Sequence, residues 1–291
     1  MPSAHARPRR SALYMPASNA RAVEKARSLA CDVVILDLED AVAPEAKETA
    51  RAAALAAVKA GGFGAREVVV RVNSLSTPWG PADLAAACEA GPDAVLVPKI
   101  ASAADAEVYH AAIEAAPERT RLWAMIETCE AMFELKAIAD VSRRTRLAAF
   151  VMGINDLAKE MRARQTPDRA PFVPFMAMAV AAARSRNLVA LDGVHNEIDD
   201  LEALETTCRQ GADIGFDGRT LIHPSHLAIC NRAYAPPPEE VAWARAVVHA
   251  FALPENEGRG ALRVEGRLAE RLHLSEARRL LEVASAIEAA G

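Results

Sequence analysis

Eight times along the first three quarters of this 291-residue chain a short apolar run rich in β-branched residues is followed by an Ala- or Glu-rich amphipathic stretch. Alternation between a period of two and a period of 3.6 is the pattern of βα units, in which successive strands run parallel and their helices cover the sheet. The expected strands are Ser11–Pro16, Val33–Glu39, Glu67–Asn73, Ala94–Ile100, Arg121–Glu127, Leu147–Gly153, Leu188–Val194 and Ala212–Gly218. Helices are expected between them, for example Pro44–Ala60, with proline in its first turn, and Ala177–Arg186. Eight parallel strands can close into a barrel or lie open as a doubly wound sheet, and periodicity does not choose. Neither G-x-G-x-x-G nor G-x-x-x-x-G-K-[ST] follows any strand, so the phosphate loops of the usual doubly wound nucleotide folds are missing. The reading is therefore a TIM (β/α)8 barrel, which takes about 200–250 residues and leaves room for an appendage.

The core of such a barrel must come from Ala, Val, Leu and Ile, because 52% of the residues are hydrophobic but only 4% aromatic. Pro224 and then Pro236-Pro237-Pro238 make a stiff break after the last strand. The expected domains are a catalytic barrel over residues 1–235 and a C-terminal helical arm or lid over 236–291. The arm reads as a helix (Glu239–Phe251), a Gly- and charge-rich connector (Pro254–Arg271) and a last amphipathic helix (Ser275–Ala289).

A net charge of −5 with scattered Lys and Arg offers no footprint for nucleic acid. Five widely spaced cysteines without a C-x-x-C pair fit a reducing compartment better than a disulfide framework. No apolar run approaches the roughly 20 residues that span a bilayer. A cytoplasmic protein is expected, with a short Arg-rich organellar leader as the alternative.

Polar residues fall repeatedly at the C-terminal ends of the expected strands: Glu39 and Asp40, Arg71 and Asn73, Lys99, Glu127, Asp156, Asp192 and Asp217. In a closed barrel these ends meet at one mouth, where such folds carry their chemistry. Glu127 and Asp156 have the oxygen-donor chemistry for a hard cation, since Mg²⁺ is usually held by one or two carboxylates plus water and substrate oxygens. Zinc is disfavoured, because neither His nor Cys clusters near them. Asp40 reads either as a site residue or as an acidic cap for the helix at Pro44, and Glu39 suits a role orienting the cation's water. Arg71, within Val-Val-Val-Arg-Val-Asn, needs an anion to offset its burial and suits a carboxylate or a developing oxyanion. Lys99 reads either the same way or as a structural partner of a nearby acid. His195 and His223 read as turn or core histidines, and Ser18 lacks the G-x-S-x-G elbow of a nucleophile.

These segments resemble one family. Leu13-Tyr14-Met15-Pro16-Ala17-Ser18-Asn19, Leu36-Asp37-Leu38-Glu39-Asp40-Ala41-Val42, Val70-Arg71-Val72-Asn73, Val97-Pro98-Lys99, Ile126-Glu127-Thr128, Gly153-Ile154-Asn155-Asp156-Leu157 and Gly215-Phe216-Asp217-Gly218 with Ile222-His223-Pro224 run in the order of the HpcH/HpaI aldolase/citrate lyase superfamily. Within it, the branch of citrate lyase β-subunits, malyl-CoA lyases and citramalyl-CoA lyases is the most similar. The resemblance implies a Mg²⁺-dependent carbon–carbon lyase that splits or forms a 3-hydroxy-carboxyacyl-CoA from an oxo-acid and an acyl-CoA. It implies Mg²⁺ on Glu127 and Asp156, an oxyanion-stabilising Arg71, Glu39 and Asp40 beside the cation's water, and Tyr14 and Lys25 near the CoA moiety. Asn19 stands where relatives often carry a basic residue. Gly260–Glu270 resembles the family lid, which reaches an adjacent subunit of a trimer or hexamer, with Glu270 in place of the catalytic Asp. The lengthened side chain leaves thioester hydrolysis open as an alternative, beside a 2-oxo-acid aldolase and a non-catalytic CoA-ester-binding protein.

Overall fold

The computed structural model describes residues 7–290; residues 1–6, where the expected first domain begins, and Gly291 lie outside the described residues. The chain divides into two compact units, one of Arg9–Tyr234 and one built on the chain from Ala235 onward.

The first unit is a closed barrel of eight parallel strands in sequence order. They are β1 (Ser11–Pro16), β2 (Val33–Asp37), β3 (Glu67–Arg71), β4 (Ala94–Val97), β5 (Arg121–Ile126), β6 (Leu147–Met152), β7 (Val189–Asp192) and β8 (Gly218–Leu221). Around them lie α1 (Ala20–Ala26), α2 (Lys47–Ala60), α3 (Gly80–Ala90), α4 (Ala103–Ala112), α5 (Cys129–Asp140), α6 (Ile154–Met161), α7 (Val173–Arg184), α8 (Leu201–Ile214) and α9 (Leu227–Ala233). β1 closes the ring by pairing Leu13 with Val34 of β2 on one side and with Leu221 of β8 on the other.

Side chains alternate across each strand, and here they sort into two cores. Ala12, Tyr14, Val33, Ile35, Val69, Met125, Val151 and Leu191 are among those filling the barrel. Leu13, Met15, Val34, Leu36, Val70, Ala124 and Met152 pack outward under the helices. The same parity decides which polar residues enter the mouth: Asp37 continues Val33 and Ile35, Arg71 continues Val69, and Glu127 follows Met125. Asp192, one residue on from inward-facing Leu191, falls on the helix side.

The eighth strand differs from expectation. Ala212–Ile214 form the last turn of α8, which stops at Gly215 in a left-handed conformation with φ 105°. The strand proper is Gly218–Leu221, whose Arg219 and Thr220 are both buried. A buried strand with two polar residues has no apolar run to betray it, while Ile214 and Phe216 imitate one. Asp217 therefore precedes β8 and sits at the opposite end of the barrel, where Arg184 Nη1 and the Ala190 backbone N–H both donate to it at 2.8 Å.

The second unit contains α10 (Pro238–Ala252), β9 (Ala261–Val264), β10 (Arg267–Glu270) and α11 (Arg271–Ala290). The expected connector is a hairpin, with Val264 opposite Arg267 across Glu265-Gly266. Both turn residues have positive φ, 48° and 81°, as a two-residue type I′ turn requires. Leu262, Val264 and Ala269 of the hairpin pack with Ala244, Val247, Leu274 and Ala277. Among the described residues no helix is long and apolar enough to cross a membrane.

Candidate active site

Arg71 is the centre of the mouth. Its side chain is buried, and its Nε and Nη2 form a fork on Asp37 Oδ1 and Oδ2 at 2.7 and 2.6 Å. That bidentate partner offsets the desolvation of the guanidinium. The remaining nitrogen, Nη1, lies 3.0 Å from Glu39 Oε2 and 3.4 Å from Asp40 Oδ2. The ring of Tyr14 lies beneath, 4.6 Å from Arg71 Cζ. Asp37 also accepts the backbone N–H groups of Glu39 and Ala41 at 2.9 and 3.2 Å, so one carboxylate holds both the arginine and the loop that faces it.

The loop is held from behind as well. The buried Lys47 ammonium donates to the carbonyls of Leu38 and Glu39 at 2.8 and 2.7 Å, and to Asn73 Oδ1 at 2.8 Å. Asn73 is thus a brace and not a mouth residue, since its amide donates to Leu38 O at 2.8 Å and Asp83 Oδ2 at 2.6 Å.

Across the mouth, Glu127 is 2% exposed and accepts the Lys99 backbone N–H at 2.8 Å. Lys99 Nζ donates to Asp156 Oδ1 at 2.6 Å and stands 4.0 Å from Glu127 Oε1. Lys99 adopts a left-handed φ of 54°, a conformation that costs a residue with a Cβ about 1–2 kcal/mol. Asp156 lies in the first turn of α6, where the helix dipole favours negative charge. Gly153, just before that helix, leaves Glu127 its space: a Cβ there would fall 2.3 Å from Glu127 Oε2.

Burial dominates the titration of Glu127, Glu39 and Tyr14. It pushes Glu127 up to about 7, with Lys99 opposing the shift. Glu39 is pushed up to about 8 by burial, against the opposing Arg71 charge. Tyr14 is raised by its burial within the barrel, again with Arg71 opposing. Two carboxyl groups held near neutrality are poised for proton transfer or for a cation that would restore their charge.

Arg71, Asp40, Glu127 and Asp156 line one cavity of about 290 Å³, with apolar walls from Met125, Met152, Val194 and Ile222. Among the described residues no group of three or more His, Cys, Asp and Glu side chains forms a closed metal cage. The donor set at the mouth is two carboxylates with open solvent space beside them, which suits Mg²⁺ completed by water and substrate oxygens.

The structure thus brings Tyr14, Glu39, Asp40, Arg71, Glu127 and Asp156 together. Lys25 projects from the exposed side of α1 and does not line the cavity. Glu270 ends β10 in the second unit, its backbone N–H donating to His273 Nδ1 at 2.9 Å. Asp192 is buried against Arg169 Nη1, 2.9 and 2.7 Å from its two oxygens, on the helix side of β7. His223 Nδ1 meets Ser225 Oγ at 2.7 Å, a turn interaction. Sequence reasoning passed over Asp37, Lys47 and Gly153. For Asp37 the available signal was strand parity, which turns it inward with Arg71.

The family model for HpcH/HpaI aldolase/citrate lyase matches residues 10–224. The chain is 44% identical to a (3S)-malyl-CoA thioesterase of Cereibacter sphaeroides strain KD131, over 98% of this chain and 97% of that one. It is 31% identical to the L-malyl-CoA/beta-methylmalyl-CoA lyase of Cereibacter sphaeroides strain ATCC 17025, over 99% of this chain and 98% of the relative. Among solved structures, CitE from Mycobacterium tuberculosis in complex with magnesium, acetoacetate and coenzyme A superposes with a TM-score of 0.75 at 31% identity, covering 96% of this chain and 98% of that one.

Proposed function

Since this chain belongs to the HpcH/HpaI aldolase/citrate lyase family, we propose that it is a Mg²⁺-dependent enzyme acting on a malyl-type coenzyme A thioester, with hydrolysis of the thioester as its net reaction. The observation that carries the choice of hydrolysis is the 44% identity to a (3S)-malyl-CoA thioesterase across both units, against 31% for the malyl-CoA lyase.

Glu127 and Asp156 would hold the cation, which when bound supplies Lewis-acid charge for the hydroxyl and carboxylate oxygens of the acyl group. Arg71 Nη1 offsets the charge that develops on the thioester oxygen, and because Asp37 has already fixed the guanidinium, little reorganisation is needed at that moment. Glu39, beside Nη1 and titrating near 8, accepts a proton from the attacking water. The water oxygen adds to the carbonyl carbon, the C–S bond breaks with its electron pair on sulfur, and a proton converts the thiolate to free CoA thiol. Asp40 adds negative charge that keeps Arg71 oriented. Tyr14 supports the arginine at the acyl end, while Lys25 offers an exposed ammonium to the phosphates of CoA. Glu270 would reach the mouth of an adjacent subunit in a trimer or hexamer and serve as a further proton carrier.

The second reading is the carbon–carbon lyase expected from the sequence. It is favoured by Arg71 and the carboxylate pair facing a single cavity, since an enolate needs the same oxyanion partner. In that case Glu270 would deliver the proton to the enolate carbon. The test is cleavage of malyl-, citramalyl-, methylmalyl- and citryl-CoA with Mg²⁺ and with EDTA, following free thiol and oxo-acid together. Mg²⁺-dependent thiol without oxo-acid supports hydrolysis, oxo-acid without thiol moves the assignment to the lyase, and neither product points to the aldolase or the binding protein.

A further inference from the structure

We infer that Lys99 is a built-in counter-ion of the Glu127/Asp156 pair, and that a divalent cation enters the mouth by exchanging with its ammonium. The inference rests on the proposed assignment of those two carboxylates as metal ligands.

Three observations on one residue carry it. The ammonium stands between both carboxylates, 2.6 Å from Asp156 Oδ1 and 4.0 Å from Glu127 Oε1. It lies within reach of the oxygens on which a cation would sit, and two charges of the same sign that close repel strongly. The side chain is 47% exposed, so it can swing to solvent without unpacking anything. The task of orienting Glu127 falls to a different part of the same residue, the backbone N–H at 2.8 Å, which the left-handed φ of 54° aims at Oε1. Backbone and side chain are therefore separable: one positions Glu127 permanently, and the other balances its charge only until a cation arrives. Lys99 is a positioning and charge-balancing residue in this scheme and not a group that touches the reacting atoms.

Because the backbone donor survives any side-chain change, the exchange can be tested with Lys99→Met and Lys99→Gln in the full-length chain, by calorimetric titration with MgCl₂ and by thermal melting in EDTA and in Mg²⁺. Removing the ammonium that the cation must displace from Asp156 Oδ1 should tighten Mg²⁺ binding by about tenfold or more, since the exchange otherwise gives up a close ion pair. Both variants should melt below wild type in EDTA, where the two carboxylates lose their counter-ion, and should recover in saturating Mg²⁺. Unchanged or weaker Mg²⁺ binding in both variants overturns the proposal. So does an equal Mg²⁺-induced rise in melting temperature for wild type and variants. If Mg²⁺ binds neither wild type nor variants, the metal site itself fails and the exchange fails with it; if it binds wild type and is lost in Glu127→Gln, the site stands and the Lys99 comparison alone decides.

Discussion

Replacing Gly153 by alanine probes the site without removing any charged group. Its φ is −105°, which alanine adopts freely, so any effect comes from the methyl group and not from backbone strain. That methyl would lie 2.3 Å from Glu127 Oε2 and 2.5 Å from Glu127 Cβ, where ordinary contact begins near 3.4 Å. Swinging the carboxylate aside cannot relieve the Cβ contact, so the Glu127 side chain must shift by about 1 Å, a misplacement that can cost roughly 100-fold in rate. Overpacking of this kind also removes about 1–3 kcal/mol of stability. The expected result for Gly153→Ala is a fall of about 100-fold in kcat/KM with malyl-CoA, weaker Mg²⁺ binding by calorimetry, and a modest loss in urea unfolding. Activity and Mg²⁺ affinity within about threefold of wild type would refute the claim that Gly153 exists to make room for Glu127.

Arg71→Met should lower kcat by about 100- to 1,000-fold through loss of the proposed oxyanion partner, and should cost about 3–5 kcal/mol in urea unfolding because Asp37 stays buried without its ion-pair partner; adding Asp37→Asn should return stability but not turnover. In the proposed site Mg²⁺ needs Glu127 ionised, so calorimetric affinity should rise about tenfold per pH unit below about 7 and flatten above it. In EDTA, Glu39 makes the fold less stable as pH rises: an acid raised from 4.5 to about 8 gives a contribution fully present below 4.5 and lost on passing through about 8, and Glu39→Gln should make the fall in urea-unfolding free energy between pH 5 and 8 shallower, leaving the part that Glu127, raised to about 7, contributes. Glu270→Gln should reduce kcat while leaving Mg²⁺ affinity unchanged, and an unaltered kcat would remove the hairpin from the chemistry.

Seven of the eight strands are legible in the chain itself, because a strand buried on both faces must be written as an apolar run, and the residues ending those runs mark the mouth. Arg71, Glu127, Glu39 and Asp156 can be found in this way, and strand parity would have added Asp37. The eighth strand, Gly218–Leu221, escaped because Arg219 is fully buried yet satisfied by Gly193 O and Thr207 Oγ1, at 2.7 and 2.8 Å, partners 26 and 12 residues away in sequence. The hairpin of the second unit escaped because its strands are four residues long and Gly- and charge-rich connectors do not advertise pairing. Lys99 illustrates the limit most plainly: sequence left it between anion binding and a structural ion pair, since nothing local distinguishes the two. Local patterning determined the alternation of elements and the chemistry available at their ends. Only closure of the barrel decided which of those groups meet, because partners such as Arg71 and Asp37, or Lys99 and Asp156, lie 34 and 57 residues apart and are brought together by strands that neither residue's neighbours encode.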